Sequence, residues 1–259
     1  MGGFQLKDMS GAEDECVWRR PPGAVRASGD EVHVWRATLR RAPADIAALG
    51  RLLSEDERER AARFRFARDR DDFTAARGTL RLILGLYTGR PPSGLRFIYN
   101  SFGKPSLEDV AAGGVLRFNL SHAGGVALYA VASGREVGID LELMREDLEC
   151  EELAGRFFSR REVAALRALP AEERTRAFFN CWTRKEAYIK ARGQGLSLPL
   201  DSFDITLSPH EPPALLATRG DAKDSSRWSL RELTIGPGYA AALAVEGSGW
   251  YLQCWSWDA

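Results

Sequence analysis

Apolar residues along the chain switch between two spacings, and the switches come in the same order twice. In the first half, alternation and short apolar runs mark strands near Val32–Trp35, 95–99, 115–120 and 126–132. Between the first two of these, wider spacing at three and four residues predicts helices over 44–53, 54–66 and 70–87. The second half repeats the series. A strand is predicted over Val137–Leu143, helices over 149–158, 159–169 and 171–192, and strands near 202–207, 227–233 and 239–245. The last of these helices carries Phe178, Phe179, Trp182, Tyr188 and Ile189, enough for a wide buried stripe. Gly193 suits its C-terminal end.

The repetition is also positional. An offset of about 105 residues places Val32 on Val137, Ser54 on Ser159, Glu57 on Glu162 and Phe73 on Phe178. Both serines precede acidic helical runs with a glutamate three residues on, the spacing of a capping box. Further along, Gly124-Gly125-Val126-Ala127 resembles Gly238-Tyr239-Ala240-Ala241, with extra residues in the stretch Pro209–Ser226. The expectation is an α+β fold of two similar lobes, each a strand, three helices and further strands. They would form a pseudo-dimer with the site in the cleft between them. The lobes are expected over 16–134 and 135–259, divided at the turn Ser133-Gly134-Arg135. Residues 1–15 are polar and glycine-containing and read as a disordered segment.

Composition narrows the class. Lysine plus arginine and aspartate plus glutamate each number 36, so net charge is near zero and neither nucleic-acid nor membrane-surface binding is expected. The longest apolar run, Val126–Ala132, is too short to span a bilayer, and no secretory leader pattern opens the chain. Four well-separated cysteines without a CxxC, and only three histidines, argue against a zinc site. Reduced thiols in a monomeric cytoplasmic protein are the expectation.

Candidate chemistry sits in four places. In the strand Val137–Leu143, Val137, Ile139, Leu141 and Leu143 alternate with Gly138, Asp140 and Glu142, so the apolar four face one way and both carboxylates the other. Two acids on one face repel unless solvent or a cation lies between them, and Mg²⁺ is a suitable hard cation. On the long helix Glu186 and Lys190 lie one turn apart, as an intrahelical ion pair or as part of a site. The segment Asn119-Leu120-Ser121-His122-Ala123-Gly124-Gly125 ends a strand in a glycine turn. It reads either as a phosphate-holding turn or as a hairpin with a surface histidine. The segment Phe102-Gly103-Lys104-Pro105 lacks the glycine spacing and the Ser/Thr of a P-loop, which excludes one.

Taken together, Phe102-Gly103-Lys104-Pro105, Phe118–His122, Gly138–Glu142 and Trp182–Lys190, continuing through Gly193-Gln194-Gly195, resemble the Sfp-type 4′-phosphopantetheinyl transferases. That family is built from two similar lobes with the site between them. The resemblance implies transfer of the phosphopantetheine arm of coenzyme A to a serine of an apo acyl- or peptidyl-carrier domain of a polyketide or nonribosomal peptide synthase. Adenosine 3′,5′-bisphosphate would be released. It implies that Asp140, Glu142 and Glu186 hold Mg²⁺, with Mn²⁺ as the alternative. It further implies that Arg60, Arg77, Gly103, Lys104, Pro105, Asn119, Ser121, His122, Lys185 and Lys190 form the coenzyme A site. Glu186, Lys190 and Asp140 would be catalytic, Glu186 as the base for the serine. The acidic stretch Arg145–Glu152 stands where relatives dock the carrier, and its charge is expected to disfavour strongly acidic carriers. Two other readings stay open: a different Mg²⁺-dependent phosphoryl or nucleotidyl transferase, and a non-catalytic coenzyme A or carrier binder.

Overall fold

The computed structural model describes residues 16–108, 116–220 and 224–258, with Leu196 described by its backbone alone. The segment 1–15, expected to be disordered, lies outside them. The chain order is β1 (Glu31–Thr38), α1 (Pro43–Gly50), α2 (Glu55–Ala62), α3 (Ala67–Thr88), β2 (Phe97–Tyr99), β3 (Pro105–Leu107), β4 (Leu116–Ala123), β5 (Val126–Ser133) and β6 (Val137–Leu143). Then follow α4 (Cys150–Phe157), α5 (Arg160–Ala168), α6 (Ala171–Arg192), β7 (Phe203–Ile205), β8 (Leu215–Thr218), β9 (Trp228–Glu232), β10 (Tyr239–Glu246) and β11 (Tyr251–Ser256).

The repeat read in the sequence is a repeat of topology. One sheet has the order β11-β1-β5-β4 and another β6-β10-β9. Removing β11 leaves each lobe with its opening strand beside its last strand, which pairs antiparallel with the strand before it. Each lobe also carries a two-stranded ribbon, β2-β3 or β7-β8, after its third helix. The structure adds β3 and β8, in stretches for which no element was predicted, and β11, which crosses back to pair parallel with β1.

The sheets are covered on both sides. Trp35, Tyr129 and Phe118 face α3 with Leu80, Ile83 and Leu84. The opposite faces meet between the lobes, where Val32, Val34 and Leu128 pack with Val137, Ile139, Leu141 and Leu243. Beyond the second sheet, α6 supplies Ala187, Tyr188 and Ala191 to a third cluster. Alternation in β6 therefore does what the pattern predicts: its apolar side makes the interlobe core, and its other side meets α6.

The helix starts repeat too. At α5, the Ser159 N–H donates to Glu162 Oε2 at 2.9 Å and the Glu162 N–H to Ser159 Oγ at 3.3 Å. At α2, the Ser54 N–H donates to Glu57 Oε2 at 3.1 Å. Both glutamates are buried and each meets a basic residue of the long helix in its own lobe. Arg81 lies 2.6 Å from Glu57, and Lys185 lies 2.8 Å from Glu162. These equivalent pairs pin the second helix of each lobe onto the third.

One expectation about the cysteines is corrected here. All four were read as reduced, yet Cys16 and Cys254 form a disulfide, and the buried Cys150 and Cys181 remain free. The bond joins residues 238 apart in sequence. Only the return of β11 to β1, with Arg19 bridged to Trp255, brings them together.

Candidate active site in the interlobe cleft

Asp140 and Glu142 project from the β6 face that meets α6. The approach of strand to helix is unusually close: a Cβ on Gly138 would lie 2.1 Å from the carbonyl oxygen of Ala187. Glycine at this position lets the carboxylates of β6 come within reach of side chains one turn apart on α6. Lys190 Nζ donates to Asp140 Oδ1 at 2.6 Å and to Ser121 Oγ at 3.1 Å, and Ser121 Oγ donates to the same Asp140 oxygen at 3.0 Å. Lys190 therefore pairs across the lobe with Asp140. The intrahelical pair with Glu186 is not formed.

Asp140 is buried, and its second oxygen, Oδ2, has no hydrogen-bond partner. Burial pushes the Glu142 carboxyl up to about 7, with Asp140 and Glu186 adding to the rise while Lys190 and the Trp182 indole N–H oppose it. Glu186 is raised as well, by burial first and by Asp140 second, against the pull of Lys190. Such mutual elevation is the signature of carboxylates crowded without enough positive charge. Among the described residues no three acids are already drawn together as metal ligands. The unpartnered oxygen and the crowding nevertheless fit a small, hard, oxygen-seeking cation held by Asp140, Glu142 and Glu186.

Beside this cluster opens a cleft of about 420 Å³, lined on its first-lobe side by Arg60, Phe64, Phe73, Arg77, Tyr99, Phe102, Asn119 and His122. Lys190, Gly193 and Gly195 close it from the second lobe, and Gly103, Lys104 and Pro105 complete the wall. The predicted strand end at Leu120 is revised. β4 runs on to Ala123, so Ser121 and His122 alternate onto opposite faces. Ser121 turns toward Asp140, while His122 stays exposed at the cleft. The cleft walls still remove enough water from its ring to lower its pKa, with Lys190 pushing the same way and Asp72 opposing. Asn119 Oδ1 accepts from the Ile139 N–H at 2.9 Å and so ties β4 to β6 next to Asp140.

The remaining predicted residues divide. Arg60 lies over the Phe73 ring at 5.5 Å with its guanidinium at the cleft. Arg77 lines the cleft but is held by Glu57 and by the Tyr99 hydroxyl, at 2.8 Å and 2.9 Å. Lys104 presents its stem to the cleft, and its ammonium is committed to Glu136, the Ala191 carbonyl and the Val137 carbonyl at 2.8, 2.8 and 3.3 Å. Burial lowers its pKa even so. With Asn100, whose amide donates to the Gly193 carbonyl, it fastens the β2–β3 ribbon onto the end of α6. Gly103 takes the left-handed conformation (φ 82°) that this ribbon turn requires.

Lys185 is a correction. Its side chain is fully buried, with its ammonium on Glu162 and on the carbonyls of Leu200 and Phe203. It faces away from the cleft and cannot touch a ligand there. Three contributors escaped the sequence reading. Phe64 had no motif to mark it, and Tyr99, at the head of the segment that runs to Pro105, was given no role. Trp182, read as core, also points its indole N–H at Glu142.

The cleft thus offers cations and aromatic faces beside an acid cluster, an arrangement suited to a ligand that is both aromatic and phosphorylated. Comparison with known proteins agrees. The profile of the 4′-phosphopantetheinyl transferase superfamily matches residues 136–244, and that of the N-terminal region of 4′-phosphopantetheinyl transferases matches residues 35–134. The two profiles meet at the lobe boundary. The 4′-phosphopantetheinyl transferase HetI of Nostoc sp. is 44% identical over 239 residues, which cover 92% of this chain and 98% of that protein. The 4′-phosphopantetheinyl transferase Sfp of Bacillus subtilis is 31% identical over 193 residues, covering 74% of this chain and 82% of its own.

Proposed function

This chain belongs to the Sfp-type 4′-phosphopantetheinyl transferases, and from that premise we propose how its residues divide the reaction. It is a transferase of the holo-carrier-protein synthase type, using coenzyme A and carrier proteins. In our reading the serine hydroxyl of an apo acyl- or peptidyl-carrier domain attacks the β-phosphorus of coenzyme A. The bond to the α-phosphate oxygen breaks, and adenosine 3′,5′-bisphosphate leaves. Polyketide and nonribosomal peptide synthases are the proposed clients. The protein is proposed to act as a cytoplasmic monomer without nucleic-acid or membrane partners. Among the described residues, no helix is long and apolar enough to cross a membrane.

The observation that carries the reading is Asp140: a buried carboxylate with one oxygen shared by Lys190 and Ser121 and the other without a partner, at the edge of a cationic, aromatic cleft. Asp140, Glu142 and Glu186 would hold Mg²⁺, or Mn²⁺ in its place, which when bound neutralises charge on the phosphoryl oxygens. Phosphoryl transfer asks the protein for alignment and charge compensation. Lys190, at the junction of acids and cleft, offsets charge that builds on the pyrophosphate. Arg60 and His122 meet the remaining phosphate, and Phe64, Phe102 and Tyr99 offer faces for the adenine. Asn119, Gly103 and Pro105 shape the wall, and the lobes 16–134 and 135–259 supply its two sides. In this reading Glu186, its pKa raised by burial and by Asp140, takes the serine proton.

The test is incubation with coenzyme A, Mg²⁺ and a panel of apo-carriers. A mass gain of one phosphopantetheine arm on a carrier is expected, and no gain with any carrier would reject the reading. Glu186→Gln should lower turnover far more than coenzyme A affinity; near-normal turnover would remove Glu186 as the base.

A further inference from the structure

Glu136 stands where the second lobe begins, one residue before β6. Its backbone is fixed to β10 of that lobe. The Glu136 N–H donates to Glu246 Oε2 at 3.3 Å, and its carbonyl accepts from the Glu246 N–H at 2.9 Å. Its side chain is spent on the other lobe. Oε2 accepts from Lys104 at 2.8 Å, and Oε1 lies 2.9 Å from Arg117 Nε on β4. The Lys104 ammonium completes its three donors on the carbonyls of Ala191 and Val137. Burial lowers the Lys104 pKa, and Glu136 opposes that fall by hydrogen bond and by charge.

This bridge holds the β2–β3 turn, residues 99–105, which has little apolar support. Ile98, Tyr99 and Phe102 are exposed. Behind the turn lies a second cavity of about 220 Å³, walled in part by Asn100, Arg117, Phe118 and Glu136. Lys104, Pro105 and Gly193 line both this cavity and the larger cleft, so the turn is a partition with open space on either side. A segment so placed is held by its polar ties more than by packing. Asn100 shapes it from within, its side-chain oxygen accepting from the Phe102 and Lys104 N–H groups at 2.9 Å each. The Asn100 amide and the Lys104 ammonium then reach Gly193 O at 2.7 Å and Ala191 O at 2.8 Å, at the end of α6. That helix also carries Glu186 and Lys190. One helix therefore sets both the acid cluster and the cleft wall, and Glu136 supplies the charged tie between them.

We propose that Glu136 is a positioning residue for coenzyme A: acting through Lys104, it holds the 99–105 turn where it closes the cleft. The proposal rests on the transferase reading, which makes that cleft the coenzyme A site. Glu136 does not line the cleft. Without it the turn would move between the two spaces, and only the closed fraction would bind. If that fraction falls to about one tenth, apparent affinity falls about tenfold. The acid cluster keeps its own contacts, so the loss appears in KM for coenzyme A and not in kcat.

The experiment compares the full chain with Glu136→Ala, Glu136→Gln, Lys104→Met and the double variant K104M/E136A. Kinetics use coenzyme A, Mg²⁺ and an apo-carrier, and calorimetry measures coenzyme A binding alone. Glu136→Ala should raise both KM and Kd for coenzyme A about tenfold, with kcat and carrier KM within about twofold of wild type. Glu136→Gln, which keeps an acceptor oxygen but not the charge, should show a smaller rise. Lys104→Met should raise coenzyme A KM by itself, and adding Glu136→Ala to it should change that KM less than about twofold. An unchanged coenzyme A KM in Glu136→Ala would overturn the proposal. So would a fall in kcat at constant KM, or a full tenfold effect of Glu136→Ala in the Lys104→Met background. A wild-type chain that turns over while Glu136→Ala matches it rejects this proposal alone. A wild-type chain that neither binds coenzyme A nor modifies any carrier rejects the transferase reading and this proposal with it.

Discussion

Replacing Gly138 with alanine tests whether the closeness of β6 to α6 builds the site. The new Cβ would meet Ala187 O at 2.1 Å, Ala191 N at 2.3 Å and Ala191 Cα at 2.9 Å, all backbone atoms of one helix that no rotamer change can move. Relieving the shortest contact to about 3 Å separates strand from helix by roughly 1 Å, an overpacking expected to cost about 3 kcal/mol or more. In a chain of this size that lowers the melting temperature by roughly 6–12 °C. The same displacement stretches the Lys190–Asp140 contact, now 2.6 Å, to about 3.5 Å, outside useful hydrogen-bond range. Misplacement on that scale at a reacting centre costs about 100-fold in kcat/KM. The assay pairs thermal unfolding with carrier-modification kinetics below the melting transition. Gly155→Ala is the control, because a Cβ there meets nothing within 4 Å on α4. It should hold or slightly raise stability. Near-wild-type activity and melting temperature in Gly138→Ala would refute the claim that strand–helix closeness sets the acid cluster.

Three more predictions follow from other parts of the molecule. The folded state holds the Glu142 proton more tightly than the usual glutamate value of 4.5, with its pKa at about 7. Its contribution to stability is therefore present below pH 4.5 and lost as pH rises toward 7. Metal-free protein should melt at falling temperatures across that window, and both Glu142→Gln and added Mg²⁺ should flatten the profile; a flat wild-type profile without metal would contradict this. Glu162→Ala strands the fully buried Lys185 and the Ile205 N–H, which Glu162 accepts at 2.8 Å, so a loss of about 3–5 kcal/mol is expected in denaturant unfolding. Reducing Cys16–Cys254 should cost about 2–4 kcal/mol and raise the thiols titrated in denaturant from the two of Cys150 and Cys181 to four.

Local pattern carried much of this fold. The alternation of Val137, Ile139 and Leu141 marks β6 with the bounds seen in the structure, and the stripe on α6 ends where Gly193 adopts the left-handed conformation. What local pattern could not carry is any partner chosen by tertiary distance. Spacing offers Lys190 to Glu186, but β6 brings Asp140 closer, and the pair between helix and strand wins. Lys185 sits in a motif dense with site residues, yet its helical phase points it at Glu162. β4 was ended early because the polar Ser121-His122 pair looks like a turn; the turn begins only at Gly124, where φ becomes positive. The disulfide and the parallel pairing of β11 depend on segments more than 200 residues apart, beyond any periodicity.

The parallel pairing of β11 with β1 has a consequence for how the molecule can be divided. Although the repeat suggests two separable halves, the outer strand of the first sheet is made by the last strand of the second half. A protein cut at Gly134 would yield a first fragment whose β1 backbone donors and acceptors lie bare, a template for self-association. Adding the second fragment should restore that edge by strand complementation. Fragment exchange is thus built into the architecture, and each half serves the other as its missing border.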